Sequence, residues 1–355
     1  MAATKIQLKN IEIVAKYINE NREKLPFSAK KLTNVSVVSG GLCNFVYRLK
    51  FDDNTTAILK YYPPFVASIE SMTISQSRYM VEKTALDVLG KEPALSSGLV
   101  QTPKLIYADD DLFILIMQDC GQSLVTLFEL MKNNFRLPNH TDENENEKAL
   151  RELLNKLAVE LRRFLRTLAT GISIKPDTTY SVPFGDESIW DMLRAYLEPL
   201  PHAQAKSYNV ETEMRPFLDA QRRLEQPSEQ ACFVVGDLWP NSILVDCEKQ
   251  IFWCLDWEVA RFETPLRDLE QLNANLWVMQ QNRRLFNYER IDYLFKRLQH
   301  EYFGDESADW RVACGAYAKT NFVLWVICLL REKHWEIEDS RAAILNAINV
   351  VIKLS

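Results

Sequence analysis

The chain has no apolar run long enough to cross a bilayer. Its longest, Phe322–Leu330, is far short of the ~20 residues a spanning helix needs. It has no Cys-x-x-Cys pair. Its seven cysteines, an odd number, are scattered, which argues against a zinc framework or a disulfide scaffold and reads as reduced thiols. It has no basic excess: the formal net charge is −6, so no nucleic-acid footprint is expected. The opening MAATKIQLKN has no long apolar core of a secretory signal, so the expected location is cytoplasmic, with no membrane partner. Internal repeats are missing. None of His140, His202, His300 and His334 sits in a ligand-like context.

What is present is a globular composition, 47% apolar and 25% charged, in a chain long enough for one large or two moderate cores. Residues 6–22 carry Ile6, Ile11, Val14, Ala15 and Ile18 at helical spacing. Val35–Val38, Phe45–Phe51 and Thr55–Tyr61, separated by Gly40-Gly41 and Asp52-Asp53-Asn54, predict an antiparallel meander. A helix is predicted over Arg78–Leu89, strands over Lys104–Tyr107 and Leu112–Met117, and a helix over 122–131. The polar stretch Lys132–Lys148 reads as a mobile surface insertion, with a substrate lid as the alternative. Leu150, Leu153, Leu154, Leu157, Leu161, Phe164, Leu165 and Leu168 form one helical stripe stopped by Gly171. The remainder is mainly helical around a hairpin at 232–258. A β-rich first third before a helical remainder predicts an α+β fold of two lobes with a cleft between them.

The most informative stretch is CFVVGDLWPNSILVDCEKQIFWCLDWE, residues 232–258. An apolar run delivers Asp237 into a polar loop, and the second strand of the following hairpin delivers Asp256 and Glu258, two apart and therefore on one side. Phosphoryl transfer needs positioning, charge neutralisation and a carboxylate at hydroxyl distance. Magnesium needs oxygen ligands, one or two of them carboxylates. Taken singly, Asp237 also fits a turn aspartate and the other two a solvated strand face; together they fit a metal–phosphate site. The loop Ser39-Gly40-Gly41-Leu42-Cys43-Asn44 joins two strands and can approach phosphates through its backbone N–H groups, although it falls short of a full G-x-G-x-x-G. Lys60 ends the third strand, placed to neutralise phosphates or to snorkel. Glu82 on the next helix is placed to hold Lys60 or to face water. Gln118-Asp119-Cys120 leaves an apolar strand where a nucleotide base can bond to the backbone between lobes, or where the chain simply links strand to helix.

Together these motifs resemble the aminoglycoside phosphotransferase and choline kinase superfamily. GDLWPNSILVD resembles its catalytic loop and LDWE its metal-binding segment. The likeness runs from Ser39 to Asp268. LKYYPP, LIMQD and the GDLW–LDWE pair look closest to methylthioribose kinase and its fungal hydroxytryptamine kinase relatives; fructosamine kinases are also similar. The resemblance implies a bilobal protein-kinase-like fold with a small β-rich N-lobe over 1–118 and a larger helical C-lobe over 119–355. It implies an ATP- and Mg²⁺-dependent kinase acting on a small-molecule hydroxyl, alcohol or phenol. Residue by residue, Asp237 is the base, Asp256 and Glu258 hold Mg²⁺, Lys60 with Glu82 binds phosphates, and the backbone of Gln118 to Cys120 binds adenine. Gly40, Gly41 and Asn44 belong to the phosphate loop. Asp268 matches an aspartate that braces the catalytic loop or caps a helix.

The sequence departs from the pattern twice. Val235 stands where the family has a histidine, and Ser242 where it has a metal-binding asparagine, leaving a hydroxyl as the implied ligand. These departures motivate the alternative of a catalytically degenerate nucleotide- or metabolite-binding protein. For the acceptor, Trp190, Trp239, Trp277 and Trp325 are candidate walls or core residues, and Glu263 and Glu270 are candidate partners for an amine or ordinary charges.

Overall fold

A computed structural model describes residues 7–38, 41–96, 98–138, 140–172, 184, 199–224, 231–264, 266–303, 315–331 and 335–352. Helix α1 (Ile11–Glu20) is capped by the Asn10 side chain, which accepts from the Ile13 N–H. Five antiparallel strands follow in the spatial order β1-β2-β3-β8-β7: β1 Leu32–Val37, β2 Phe45–Phe51, β3 Thr56–Tyr61, β7 Leu105–Asp109 and β8 Ile114–Gln118. Strand alternation divides β3. Ala57, Leu59 and Tyr61 enter a core with Val14, Tyr17 and Ile18 of α1, and Lys60 emerges on the opposite face. That face receives helix α2 (Ser77–Leu89). Between β3 and α2 lies a small hairpin, β4 Phe65–Val66 with β5 Ile69–Thr73, that sequence patterning did not reveal.

The second sheet joins distant segments in the order β6-β12-β11-β9. β6 (Val100–Gln101) lies parallel to β12 (Ile251–Cys254), and β9 (Val125–Thr126) lies antiparallel to β11 (Ile243–Asp246). The predicted hairpin is therefore the β11–β12 pair. The helix predicted over 122–131 is instead β9 followed by the short helix Leu127–Leu130, because pairing with Leu244 and Val245 draws Val125 and Thr126 into extended backbone.

The long stripe is helix α5, Glu143–Thr170, with every predicted apolar position buried and Gly171 closing it onto Thr167 O at 2.8 Å. It begins before the stripe does, capped by Asp142 with Glu143 and Glu145 in the first turn. Residues 143–148 of the segment read as an insertion are therefore the first turns of this helix. Arg290, 1% exposed, donates to the carbonyls of Leu130, Lys132 and Phe135 and pairs with Glu147. A buried guanidinium with those partners clamps the segment, and its source lies in a helix, Tyr288–Phe303, far along the chain. The main core runs from α2 through α5 and the β11–β12 hairpin to the helices Arg267–Gln280, Tyr288–Phe303, Gly315–Leu329 and Ser340–Ile352.

Candidate active site

The site gathers residues of strand β3, helix α2 and the segments that follow a further strand, β10 (Cys232–Val234), and β12. Buried strand β10 pairs with β13 (Arg261–Glu263) and feeds Val235, Gly236 and Asp237. Gly236 has φ +88°, and a Cβ there would lie 2.2 Å from the Val259 carbonyl oxygen, so this position requires glycine. The loop is gripped from below. Asp268, 2% exposed at the start of the Arg267–Gln280 helix, accepts the N–H groups of Val235 and Gly236 through its two oxygens, each at 2.9 Å. Of the two roles implied for Asp268, the brace is the one the geometry displays. The Val235 side chain is fully buried in the core.

Asp237 accepts a hydrogen bond from Gln271 Nε2. Burial, then the charge of Asp256, pushes its carboxyl above the usual aspartate range, opposed by the Gln271 amide. Gln271 lies on the same helix as Asp268, one turn on, and sequence reasoning missed it. The only prior signal was its place in PLRDLEQL.

The Ser242 hydroxyl closes the short turn Pro240–Ser242. It donates to Trp239 O at 2.8 Å and accepts from Trp239 N at 3.0 Å, while Ser242 O accepts from Leu255 N at 2.9 Å. Asp256 and Glu258 do not lie on a strand as the spacing suggested. They follow the end of β12, and Asp256 sits in the left-handed region at φ 69°. Both acids still reach the cleft because Trp257 between them is fully buried, 5° from parallel with the Phe233 ring at 6.1 Å and bonded through Nε1 to Cys254 O.

Lys60 Nζ bonds Glu82 Oε2 at 2.6 Å and Asp256 Oδ1 at 2.6 Å, with Glu258 Oε2 at 3.9 Å. Tyr62 donates to the same Glu82 oxygen at 2.6 Å. Burial works to depress the Lys60 ammonium, but Asp256, Glu82 and Glu258 outweigh it and hold the group protonated. A buried pair of this kind gains little net stability, whereas losing one partner costs about 3–5 kcal/mol, so the Lys60–Glu82 pair is a strong constraint on the cleft. Burial, against Lys60 and Arg78, pushes Glu258 up to about 7. One oxygen each from Glu82, Asp256 and Glu258 falls within a 4.8 Å group. Hard carboxylate oxygens at that spacing suit a divalent cation such as Mg²⁺. The Ser242 hydroxyl makes its hydrogen bonds within its own loop.

Asn44 donates to Glu258 Oε2 at 2.6 Å. Gly40 and Trp190 lie outside the described residues, and Gly41 stands exposed at the loop's entry. At the linker, the Asp119 carboxylate is held bidentately by Arg48 of β2 at 2.6 and 3.1 Å and accepts the Gly121 N–H. Burial tends to raise that carboxyl, and these bonds outweigh it and leave it below the usual range. Gln118 N already bonds Lys104 O at 2.9 Å, which removes one of the three backbone donors assigned to a nucleotide base. Cys120 is half-buried beside it.

The acceptor candidates separate. Trp277 packs edge-on to Phe322 at 5.9 Å, and Trp325 lies under the Arg267 guanidinium at 4.6 Å. Trp239 is half-buried next to the loop. Glu263 pairs with Arg261 and Arg267. Glu270 is fully buried, with Oε2 accepting from Asn321 at 3.2 Å and Oε1 without a partner among the described residues.

Burial pushes Glu270 up to about 8 from an ordinary 4.5, opposed by Asn321 and Arg267. Between those values the folded protein keeps a proton that the unfolded chain has released, so stability falls as pH rises through that window. Glu270→Gln is expected to leave the melting temperature nearly unchanged near pH 5 and to raise it relative to the parent by pH 8. The difference should reach a few kcal/mol, at about 1.4 kcal/mol per pKa unit. Parallel melting curves across that pH range would show that Glu270 ionises freely in the fold.

Comparison with solved structures places this architecture. The chain is similar to a choline kinase from Cryptosporidium parvum (13% identity, 96% of this chain and 95% of that one, TM-score 0.53). It is equally similar to the amicoumacin kinase hAmiN in complex with AMP-PNP, Ca²⁺ and Ami (14% identity, 96% and 95%, TM-score 0.53). No protein-family model and no curated protein matches the chain. At these identities the likeness is one of fold: an α+β, bilobal, protein-kinase-like architecture.

Proposed function

We propose that the chain is an ATP- and Mg²⁺-dependent phosphotransferase that phosphorylates an alcohol or phenol of a small molecule. The observation that carries this reading is the convergence of Lys60, Glu82, Asp256 and Glu258 in one cleft with Asp237 presented on a braced loop whose charge environment Asp256 shares. The names of the two similar structures, a choline kinase and an amicoumacin kinase, support it.

In this reading Lys60, freed from Asp256, binds nucleotide phosphates while Glu82 keeps it in place. The loop through Gly40, Gly41 and Asn44 covers the phosphates, and the backbone of Asp119 and Cys120 meets the base. Asp256 and Glu258 hold Mg²⁺, which when bound neutralises phosphate charge. Asp237 accepts the proton of the acceptor hydroxyl, oriented by Gln271. Nucleotide is held by the lobe over 1–118 and the acceptor by the lobe over 119–355.

A second reading, a nucleotide-binding protein without transfer activity, is favoured by one observation. The Ser242 hydroxyl already donates to and accepts from the Trp239 backbone, which leaves it one lone pair and makes the implied third metal ligand a weak one. An acceptor panel of amino alcohols, sugars and hydroxyindoles, followed by ADP release and by direct calorimetry of Mg²⁺–ATP, separates the two. Acceptor-dependent ADP release is expected. Nucleotide binding with no transfer to any acceptor would favour the second reading, and no nucleotide binding would end both.

A further inference from the structure

Beyond its charge beside Glu258, Arg78 is heavily engaged in hydrogen bonds around the site. It sits in the first turn of α2, 1% exposed. Its Nη1 donates to Ser75 O at 2.9 Å. Its Nη2 reaches Asn44 Oδ1 at 2.9 Å, Pro63 O at 3.0 Å and Cys43 O at 3.3 Å. Its Nε, buried and without a hydrogen-bond partner among the described residues, lies 3.5 Å from Glu258 Oε2. Asn44 completes the connection, since its Oδ1 accepts from Arg78 while its Nδ2 donates to that same Glu258 oxygen at 2.6 Å.

Arg78 and Glu82 are four residues apart on α2 and so share one face. Glu82 sets Lys60. Arg78 sets the loop residues Cys43 and Asn44 and, through Asn44, Glu258. The phosphate-facing loop, the phosphate lysine and one of the two metal carboxylates are thus referenced to a single helix. The planar guanidinium fork suits this work, because several donors in fixed directions hold several oxygens at once, which an ammonium cannot do.

We propose that Arg78 is a positioning residue that locks the Leu42–Asn44 loop to Glu258, so that phosphate loop and metal carboxylate are placed together. The inference rests on the reading of Glu258 as a metal carboxylate. The hydrogen-bonded link from Arg78 to Glu258 runs through Asn44; the direct ion pair at 3.5 Å adds charge, which Arg78→Lys retains.

The test is a double-variant cycle read by binding. Mn²⁺ affinity is measured by calorimetry in the presence of a non-hydrolysable ATP analogue for the parent, Arg78→Lys, Asn44→Ala and the double variant. Each single change is expected to weaken Mn²⁺ by about 10- to 100-fold, the range for losing a group that orients a metal ligand. The double variant is expected to be no weaker than the worse single one, because both cut the same connection. Far-UV circular dichroism like the parent's, recorded for each variant, excludes general unfolding as the cause. Additive losses, or unchanged Mn²⁺ affinity in Arg78→Lys, would overturn the proposal while leaving the proposed function intact. Should Arg78→Lys fail to fold, Asn44→Ala alone decides: unchanged Mn²⁺ affinity there overturns it. A parent protein that binds no Mn²⁺ with the analogue overturns both this proposal and the reading of function on which it rests.

Discussion

Asp237→Asn is expected to lower phosphoryl transfer by about 10²- to 10⁴-fold, the contribution of a positioned general base, with nucleotide affinity and melting temperature close to the parent's. The substitution is nearly isosteric. The asparagine carbonyl still accepts the Gln271 amide that Asp237 accepts now, and the loop is held by Asp268 through backbone N–H groups that the change does not touch. What disappears is a carboxylate able to take the acceptor's proton. Removing a charge that burial and Asp256 already disfavour gives the fold no reason to weaken. The measurement is initial-rate ADP release with a working acceptor, beside calorimetry with ATP and a thermal melt. Turnover retained within about threefold would be too small a loss for a general base and would remove Asp237 from the role.

Asp256→Asn is expected to abolish metal-dependent nucleotide binding and to lower activity by about 10²- to 10⁴-fold, corresponding to the several kcal/mol that a bound cation contributes to charge stabilisation. Asp256 is the open member of the proposed metal pair: its side chain is 39% exposed, against 10% for Glu258. It is also the carboxylate that Lys60 must release to meet phosphates. Neutralising it leaves Lys60 bonded to Glu82, so the ammonium is not orphaned and little stability should be lost. The result is read as Mn²⁺ affinity with and without nucleotide. Parent-like Mn²⁺ affinity in the variant would place the cation elsewhere.

Much of the site was legible because its parts are local. Lys60 was expected at the end of the third strand and lies there, on the face opposite Leu59 and Tyr61. The short interval from Asp237 to Asp256 is one loop and one hairpin, and both formed as patterned. The reason given for Asp256 and Glu258 sharing a side was incorrect in detail, since neither lies on a strand. Their convergence comes from a fully buried Trp257 between them and a left-handed turn at Asp256, and the spacing alone does not distinguish that from a strand.

Other groups were hidden because their partners are remote. Gln271 matters through Asp237, Arg290 through the carbonyls near residue 132, and Arg78 through Asn44 and Pro63. Each is an ordinary helix residue until the fold supplies its neighbours. Ser242 shows the reverse. A hydroxyl at the position where the family has a metal-binding asparagine invited a ligand role, and the turn it closes takes up its hydrogen bonds.

By itself the sequence determined the period of most of the longer elements, the two acidic clusters, the lysine and its glutamate, and the α+β division, because hydrophobic spacing and turn chemistry act over a few residues. The tertiary structure decided which side chains share a cleft and which polar groups are consumed in holding it. Burial makes every unpaired charge costly, and whether a given charge finds a partner depends on segments that pattern-reading along the chain does not bring together.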